Sequence, residues 1–438
     1  MTPKHFLKTI VSTLVLTVVV PVASAESISL EQAVARANTI DPWLLGSEKQ
    51  QESLEAMSVQ AGTLPDPSVN VAIANLPVDS FDFAQEGMTQ FKVSVSQMFP
   101  RGNSRALKRE KLAAMSKVQP YMRQDRIAQV ANTVSQLWLD VYLLERTISL
   151  IEKDRHLFEH LVDVSQSSYT TTSGKARQQD LVRAQLELTR LDDRLTRLRQ
   201  MRDMKAFQLS EWLQVDDLTI NQATAHTISL HSETVLKTHG NNRTELLVDV
   251  LRQHPLLLAI ERKIATADTG VRLSKQSYKP QWGLSASYGY RDDAPNGMER
   301  ADFFSAGVTF DVPLFTGKRQ DKLVQSAKAD KEAIKTERAL ALRKLRAGYD
   351  STEASYRRLL DRQTLFDTRL LKEMAEQAEA SLTAYTNDDG DFAEVVRARI
   401  AELNARIEAL NVRIDIQKTI AQMNYFLVGA QLSGANNE

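Results

Sequence analysis

The motif in this chain that most resembles an enzyme's is "HLFEH", from His156 to His160. Two histidines four residues apart lie on one face of a helix and can share a zinc ion, with a glutamate as general base. The spacing matches the H-x-x-E-H motif of inverted zinc peptidases. Here it stands inside a long heptad-patterned helix with no globular domain around it. We therefore interpret both histidines as surface residues and only weak metal candidates, and we expect neither an enzyme nor a cofactor.

A second pattern that could do chemistry occurs twice, as "DLVRA" from Asp180 and "EVVRA" from Glu394. In each copy an arginine, Arg183 or Arg397, stands three residues after the acid. An acid near the start of a helix is stabilised by the helix dipole, which is a purely structural role. In an oligomer with a shared axis, the same acid facing the lumen would form a negative ring that selects cations and helps to gate an entrance.

A chain reversal precedes each copy of this pattern. Gly174 and Gly390 allow the chain to turn back between antiparallel helices, and Tyr169 and Tyr385 stand shortly before the two turns. We expect these turns to be the tips of two helical hairpins. The second turn alone is crowded with acids that could add negative charge at a mouth: Asp388, Asp389 and Asp391.

Composition excludes several classes of partner and site. Lys+Arg and Asp+Glu both number 55, so no basic excess indicates a nucleic-acid partner. The chain has no cysteine, which excludes disulfides, thiolate metal sites and a cysteine-linked lipid anchor. Residues 1–25 have the basic start, the apolar run and the Ala23-Ser24-Ala25 end of a secretory signal peptide. We expect the mature chain to begin at Glu26.

The chain contains an internal duplication. Three prolines recur with one constant offset: Pro42, Pro67 and Pro100 return as Pro255, Pro280 and Pro313. We therefore expect repeat one over 26–212, an equatorial connector over 213–242, repeat two over 243–432 and a short tail over 433–438. Each repeat is predicted to run helix, strand, loop, strand and long helical hairpin, with tips at about 169–180 and 385–394.

Each repeat carries two segments with period-two alternation, at about 67–76, 89–99, 281–290 and 303–312. One face is apolar and rich in aromatic residues, and the other is small and polar. Strands of about ten residues with these faces fit a transmembrane β-barrel. A soluble sandwich is the alternative, but four strands would leave it two bare edges.

The remaining residues are predicted to form long helices with coiled-coil spacing. One seam in repeat two runs from Val396 through Ile400, Leu403 and Ile407. The stretch 103–169 is predicted to be one nearly unbroken helix, about 100 Å long, with a kink at Pro120. Compact globular domains do not need helices of this length.

This plan resembles the TolC family of outer-membrane efflux proteins over essentially the whole mature chain. The resemblance implies a mainly α-helical fold with a transmembrane barrel, in which three chains share twelve strands and continue as a periplasmic α-helical barrel. The motifs "LPDPSV" at 64–69 and "SQMFPRG" at 96–102 resemble the heavy-metal (CzcC/CusC-like) branch. In the family, Glu394 falls where TolC has an acid of its entrance constriction. Where TolC has a second acid, this chain has Arg397, so we expect Arg397 to clamp Glu394 or a neighbouring copy.

The resemblance also implies a role and partners. The chain would be the exit duct of a tripartite RND efflux system in the outer membrane of a Gram-negative bacterium, in contact with outer-membrane lipid. It would work as a homotrimer with a periplasmic adaptor and an inner-membrane pump, and the metal branch implies metal-ion cargo. The hairpin tips with Gly174 and Tyr169, and with Gly390 and Tyr385, are the candidates for docking the adaptor. A type I secretion duct or a drug-efflux duct fits the same pattern. A periplasmic coiled-coil scaffold and a zinc peptidase are the alternatives from other classes.

Overall fold

The computed structural model describes residues 27–170, 178–215, 219–220, 227–238, 240–387 and 390–435. The predicted signal peptide lies outside the described residues. Within this part of the chain, no helix combines the length and the apolar character that crossing a membrane would require.

The chain is mainly helical, as predicted. The predicted nearly unbroken helix over 103–169 is present as α3 (Ser104–Ser116) and α4 (Gln119–Thr170). A break at Lys117 and Val118 replaces the predicted kink, because Pro120 lies at the start of α4, where its missing N–H costs no helical hydrogen bond. A π-helical segment, Phe366–Leu370, separates α9 (Gln320–Leu365) from α10 (Leu371–Thr386). The helices are α1 (Leu30–Ile40), α2 (Pro42–Ala61), α3 (Ser104–Ser116), α4 (Gln119–Thr170), α5 (Gln178–Leu213), α6 (Glu233–Lys237), α7 (Asn241–Arg252), α8 (Pro255–Ser274), α9 (Gln320–Leu365), α10 (Leu371–Thr386), α11 (Phe392–Phe426) and α12 (Val428–Ala435).

In the described part of the chain, six strands form two sheets. The short strands β1 (Ser27–Ile28) and β4 (Thr219–Ile220) pair in parallel. The larger sheet is antiparallel, with the order β2-β3-β5-β6. Its strands are β2 (Ser68–Ala74), β3 (Gln90–Phe99), β5 (Trp282–Tyr290) and β6 (Phe303–Phe310). In the described chain β2 and β6 each pair on one side only, so the sheet has two open edges.

The pairing register separates the chemistry of the two faces of this sheet. Successive side chains of a strand point to opposite faces, so cross-strand rows lie on one face. One such row consists of Val71, Val93, Tyr288 and Phe304, and a row on the opposite face consists of Asn70, Ser94, Ser287 and Ser305. Large apolar side chains on the first face are exposed, among them Val69, Val71, Ile73, Tyr288, Phe304 and Phe310.

Two long loops meet at the end of the sheet that is remote from the helices. Arg291 Nη1 donates to the Gly87 carbonyl at 2.9 Å, and Arg300 Nη1 donates to the Ala84 carbonyl at 3.0 Å. The Arg291 guanidinium also lies 3.8 Å from the centre of the Phe303 ring. The loops of the two repeats are thereby joined into one unit.

The helices nearest the sheet repeat its order. α2 packs on α3, α3 on α8, and α8 on α9, so the four-stranded sheet continues into four adjacent helices with α2 and α9 at the edges. These edge helices also expose apolar side chains, including Met57 and Val59 on α2 and Leu323 on α9. Both layers of the chain therefore end on open sides.

The repeated Asp-Pro and His-Pro dipeptides have the same structural role. Asp41 caps α2 by accepting from the backbone N–H of Trp43 at 3.0 Å. His254 caps α8 by accepting through Nδ1 from Leu256 N–H at 3.2 Å. A proline follows each cap at the first helical position. The duplicated cap differs in charge, since Asp41 is paired with Arg126 at 2.8 Å and His254 is fully buried.

The buried His254 ring is held in its neutral form. Because Nδ1 accepts from Leu256, Nε2 carries the proton and donates to the Tyr425 carbonyl at 3.1 Å. Burial lowers the pKa of His254 to about 4, and the hydrogen bond to Tyr425 opposes this only in part. Asp125 lies 4.0 Å from Nδ1, and burial raises the pKa of its carboxyl group.

This arrangement predicts acid sensitivity. The unfolded chain binds a proton at His254 below about pH 6.5, whereas the folded chain does so only near pH 4. The stability contributed by the neutral ring is complete above pH 6.5 and is lost as the pH falls from 6.5 to 4, by about 3 kcal/mol. His254→Asn keeps an N-cap acceptor and should remove much of this dependence. Thermal unfolding of both proteins at pH 7.5 and pH 5 measures the difference, and equal acid shifts would contradict the assignment.

Helix α11 is the central helix among the long helical hairpins. The predicted seam is buried at Val396, Leu403 and Ile407, but residues on other faces of α11 are buried as well. Its tip half packs on Ile148, Ile151 and Phe158 of α4 and on Leu191 and Leu195 of α5. Farther along, Val412, Ile416 and Ile420 pack on Phe366 of the π-helical segment. A single coiled-coil seam is therefore an incomplete description of α11.

Candidate functional site

The tip of hairpin two is a tight turn between α10 and α11. Gly390 lies where an added Cβ would come within 2.7 Å of the Tyr385 backbone nitrogen and 2.9 Å of the Ala384 carbonyl carbon. The next residue, Asp391, is the N-cap of α11, and its carboxylate accepts from Ala393 N–H at 3.1 Å. The turn therefore needs a glycine for close approach, and it uses Asp391 to start the helix.

Tyr385 ties this tip to the hairpin core. Its ring packs edge-on against Phe392, with the ring centres 5.5 Å apart. Phe392 is buried in the same cluster as Phe158 of α4 and Ala184 of α5. Tyr385 itself is half-buried. The described parts of the two hairpins are thus packed together near the second tip.

Glu394 and Arg397 form an ion pair on the exposed side of α11. Arg397 Nη2 donates to Glu394 Oε2 at 2.9 Å, and Arg397 Nε donates to the Ala393 carbonyl at 3.2 Å. Both side chains are exposed, so the pair contributes about 0–1 kcal/mol to stability. Of the two partners foreseen for Arg397, the structure places Glu394 of the same chain within reach. The acid therefore carries a compensating positive charge.

The two copies of the repeated pattern, DLVRA from Asp180 and EVVRA from Glu394, lie in different surroundings. Asp180 is buried in the first turn of α5, whereas Glu394 is exposed in the first turn of α11. Arg183 is exposed, and the structure shows no ion pair between it and Asp180. The role of Asp180 at an entrance stays a prediction. Only Glu394 and Asp391 among the described acidic candidates present exposed side chains at a tip.

Several candidates of the sequence analysis cannot be placed. Gly174, Asp388 and Asp389 lie outside the described residues. Tyr169 lies on the described backbone of α4, but its side chain is not among those described.

The histidine motif is on the surface of α4. His156 and His160 are both exposed, and His156 Nδ1 lies 3.5 Å from Glu159 Oε2. Among the described residues, no three or more metal-ligating side chains converge on one point. The motif has the spacing of a zinc site, and no described side chain supplies a third ligand.

An ionic network above the tip was missed by the sequence reasoning. Arg399 contacts Glu402 on α11 and Glu379 on α10, both at 3.0 Å. Arg406 contacts Glu402 and reaches Asp154 of α4 at 3.4 Å. Glu402 and Asp154 are buried. Burial raises the pKa of Asp154, and Arg406 opposes this shift. The spacings of three and four residues on α11 were visible in the sequence, but the contact with α4 was not.

Comparison with known proteins supports the reading of the fold. Residues 246–427 match the family described as outer membrane efflux protein. The resemblance to TolC-family outer-membrane efflux proteins is confirmed. The matched residues run from within α7 to the end of α11 and include the Gly390 tip and the Glu394–Arg397 pair. No curated protein sequence matches the chain.

Solved structures of outer-membrane channels share the fold over most of the chain. CusC has a TM-score of 0.73 at 11% identity, with 91% of each chain covered. VceC from Vibrio cholerae has a TM-score of 0.71 at 13% identity, covering 91% of this chain and 95% of VceC. CmeC from Campylobacter jejuni has a TM-score of 0.73 at 10% identity, with 93% and 88% covered. These likenesses extend the common fold to the N-terminal repeat, beyond the residues matched by the family.

The close contact at Gly390 predicts a local defect on substitution. Gly390→Ala places a methyl group against the backbone of Ala384 and Tyr385, so the turn must open, at a cost of about 1–3 kcal/mol. Amide hydrogen exchange at the start of α11 should become faster. Gly46→Ala is the matched control, because its Cβ would have no neighbour within 4 Å and alanine favours the helix. Unchanged exchange in Gly390→Ala would show that the turn does not depend on this approach.

Proposed function

We propose that this chain is the outer-membrane exit duct of a tripartite efflux system. The observation that carries the proposal is the four-stranded sheet with an exposed apolar face, a small polar face and two open edges. The apolar face is suited to lipid and the polar face to a water-filled lumen. A protein with these surfaces conducts cargo passively and carries out no chemistry of its own.

The open edges require further copies of the chain. In hydrocarbon every backbone N–H and C=O must be paired, so strands span a bilayer only as a closed barrel. Such barrels have about eight strands or more, and this chain supplies four. We propose a homotrimer with a twelve-stranded barrel, as the family resemblance implies. The open sides of α2 and α9 are then joined in the same way to form a helical barrel.

The long hairpins give the duct its reach. Helix α4 has 52 residues, which corresponds to about 78 Å at 1.5 Å per residue. Because the strands lie at the opposite end from the Gly390 tip, the helices would extend from the outer membrane deep into the periplasm. The tips would meet a periplasmic adaptor and an inner-membrane pump. We propose an RND-type pump with metal-ion cargo from the "LPDPSV" and "SQMFPRG" motifs; drug efflux and type I secretion are the competing assignments.

We propose that the Glu394–Arg397 pair belongs to the entrance of the duct. In a trimer it would occur three times around one axis, and each acid would carry its own counter-charge. This differs from a ring of uncompensated acids and favours steric and ionic closure over cation selection. Asp391 is also exposed and begins the same helix, where the N-cap hydrogen bond from Ala393 N–H holds it in place.

Planar-bilayer recordings test the proposed function. The purified protein should form discrete aqueous channels, and Glu394→Ala/Arg397→Ala should raise the single-channel conductance because six side chains leave the entrance. Arg358→Ala/Asp361→Ala is the matched control, since it removes an exposed pair with the same spacing at 3.0 Å, on α9.

The outcomes separate the alternatives. Channels whose conductance rises only in the Glu394/Arg397 variant support both the duct and the gate. Channels with equal conductance in all three proteins would remove this pair from the gate. A protein that forms no channels and remains soluble without detergent would contradict the duct and favour a periplasmic scaffold.

A further inference from the structure

The two repeats of one chain meet along a sheet interface that the structure shows in full. Strand β3 of repeat one pairs with β5 of repeat two, and Ser96 lies opposite Ser285. Ser94 lies opposite Ser287 in the same register. All four serines are on the small polar face. This interface shows how the end of one repeat pairs with the beginning of the next.

A barrel made of several copies needs the same kind of junction between chains. Strand β6 ends repeat two and β2 begins repeat one, and both are open edges in the described chain. All side chains of β6 are exposed, as are those of β2 except Ala74, which is half-buried. The pairing of β3 with β5 within one chain is therefore the template for pairing β6 of one copy with β2 of the next.

The constant offset between the two repeats gives the pairing register of this junction. Pro67 and Pro280 precede the first strand of each repeat, and Pro100 and Pro313 follow the second, all with one offset. Moving Ser96 forward by this offset gives Thr309 on β6. Moving Ser285 back by it gives Ala72 on β2. The proposed barrel joins β6 of one copy antiparallel to β2 of the next, and we infer the register of this junction: Thr309 lies opposite Ala72. This inference rests on the proposed oligomeric duct.

The inferred register agrees with the chemistry of both faces. On the apolar face it sets Val308 opposite Ile73 and Phe310 opposite Val71. On the polar face it sets Thr309 opposite Ala72. A shift by one residue would place apolar side chains in the lumen and polar ones in lipid. Only registers that differ by an even number of residues compete with it.

A register shifted by two residues is a real alternative, because the pairing registers of β2–β3 and β5–β6 differ by two residues. In the β2–β3 strand pair, Ser68 lies opposite Ser96. The equivalent of Ser96 in repeat two is Thr309, and Thr309 lies opposite Gly283 in the β5–β6 pair. The equivalent of Ser68 is Gln281, so Gly283 stands two residues beyond it. The neighbouring registers place Thr309 opposite Asn70 or opposite Ala74.

Disulfide trapping tests the register directly, because the chain has no cysteine to remove. Thr309→Cys is combined in turn with Ala72→Cys, Asn70→Cys and Ala74→Cys, and outer membranes are oxidised before non-reducing electrophoresis. Directly opposite residues have Cβ atoms about 4.5–5.5 Å apart, whereas residues two positions away are at about 7–8 Å. We expect the Ala72 combination to give several-fold more covalent oligomer than the other two.

A control at the internal interface distinguishes the possible failures. Ser94→Cys/Ser287→Cys joins β3 to β5 and should form a disulfide within one chain. If the Asn70 or Ala74 combination gives the most covalent oligomer, the inferred register is wrong and the oligomeric duct stands. If the internal control forms but no Thr309 combination yields an oligomer, β6 and β2 do not meet between copies, and the proposed barrel fails with the register.

Discussion

The pairing of backbone hydrogen bonds in a medium without water is the constraint on which this structure depends. An unpaired N–H or C=O in hydrocarbon costs several kcal/mol, so a membrane sheet cannot end on an open edge. The four-stranded sheet has two such edges and an exposed apolar face. Neither feature suits an isolated chain in water. Both would be favourable in the proposed barrel, in which copies of the chain close in lipid.

The duplication suits the proposed closure in both the sheet and the helical layer. The strand order β2-β3-β5-β6 continues in the helix order α2-α3-α8-α9, so the same sides of the chain are open in both layers. The repeats then differ in their electrostatics. Asp41 caps α2 with the support of Arg126, whereas His254 caps α8 as a buried neutral ring. The acids of the two repeated patterns also differ in their surroundings, since Asp180 is buried and Glu394 forms an ion pair on the surface.

Sequence periodicity was enough to predict the two faces of the sheet, because successive side chains point to opposite faces in every β-strand, whichever strand it pairs with. The prolines located the strand boundaries, since proline interrupts pairing in a sheet. Contacts between distant elements were not predictable. The burial of α11 on several faces depends on α4, α5 and the π-helical segment together, and the network from Arg406 to Asp154 joins residues from both repeats. A helical pattern identifies one apolar seam and leaves unknown how many neighbours a helix has.

The central claim is that the chain completes its sheet only with identical copies. The most direct measurement is the mass of the detergent-solubilised particle by native mass spectrometry, together with a cryo-electron microscopy map of the same sample. The account predicts three chains per particle and one closed barrel whose wall contains β2, β3, β5 and β6 of every copy. A monodisperse single chain, or a particle in which the edges of β2 and β6 remain unpaired, would contradict it.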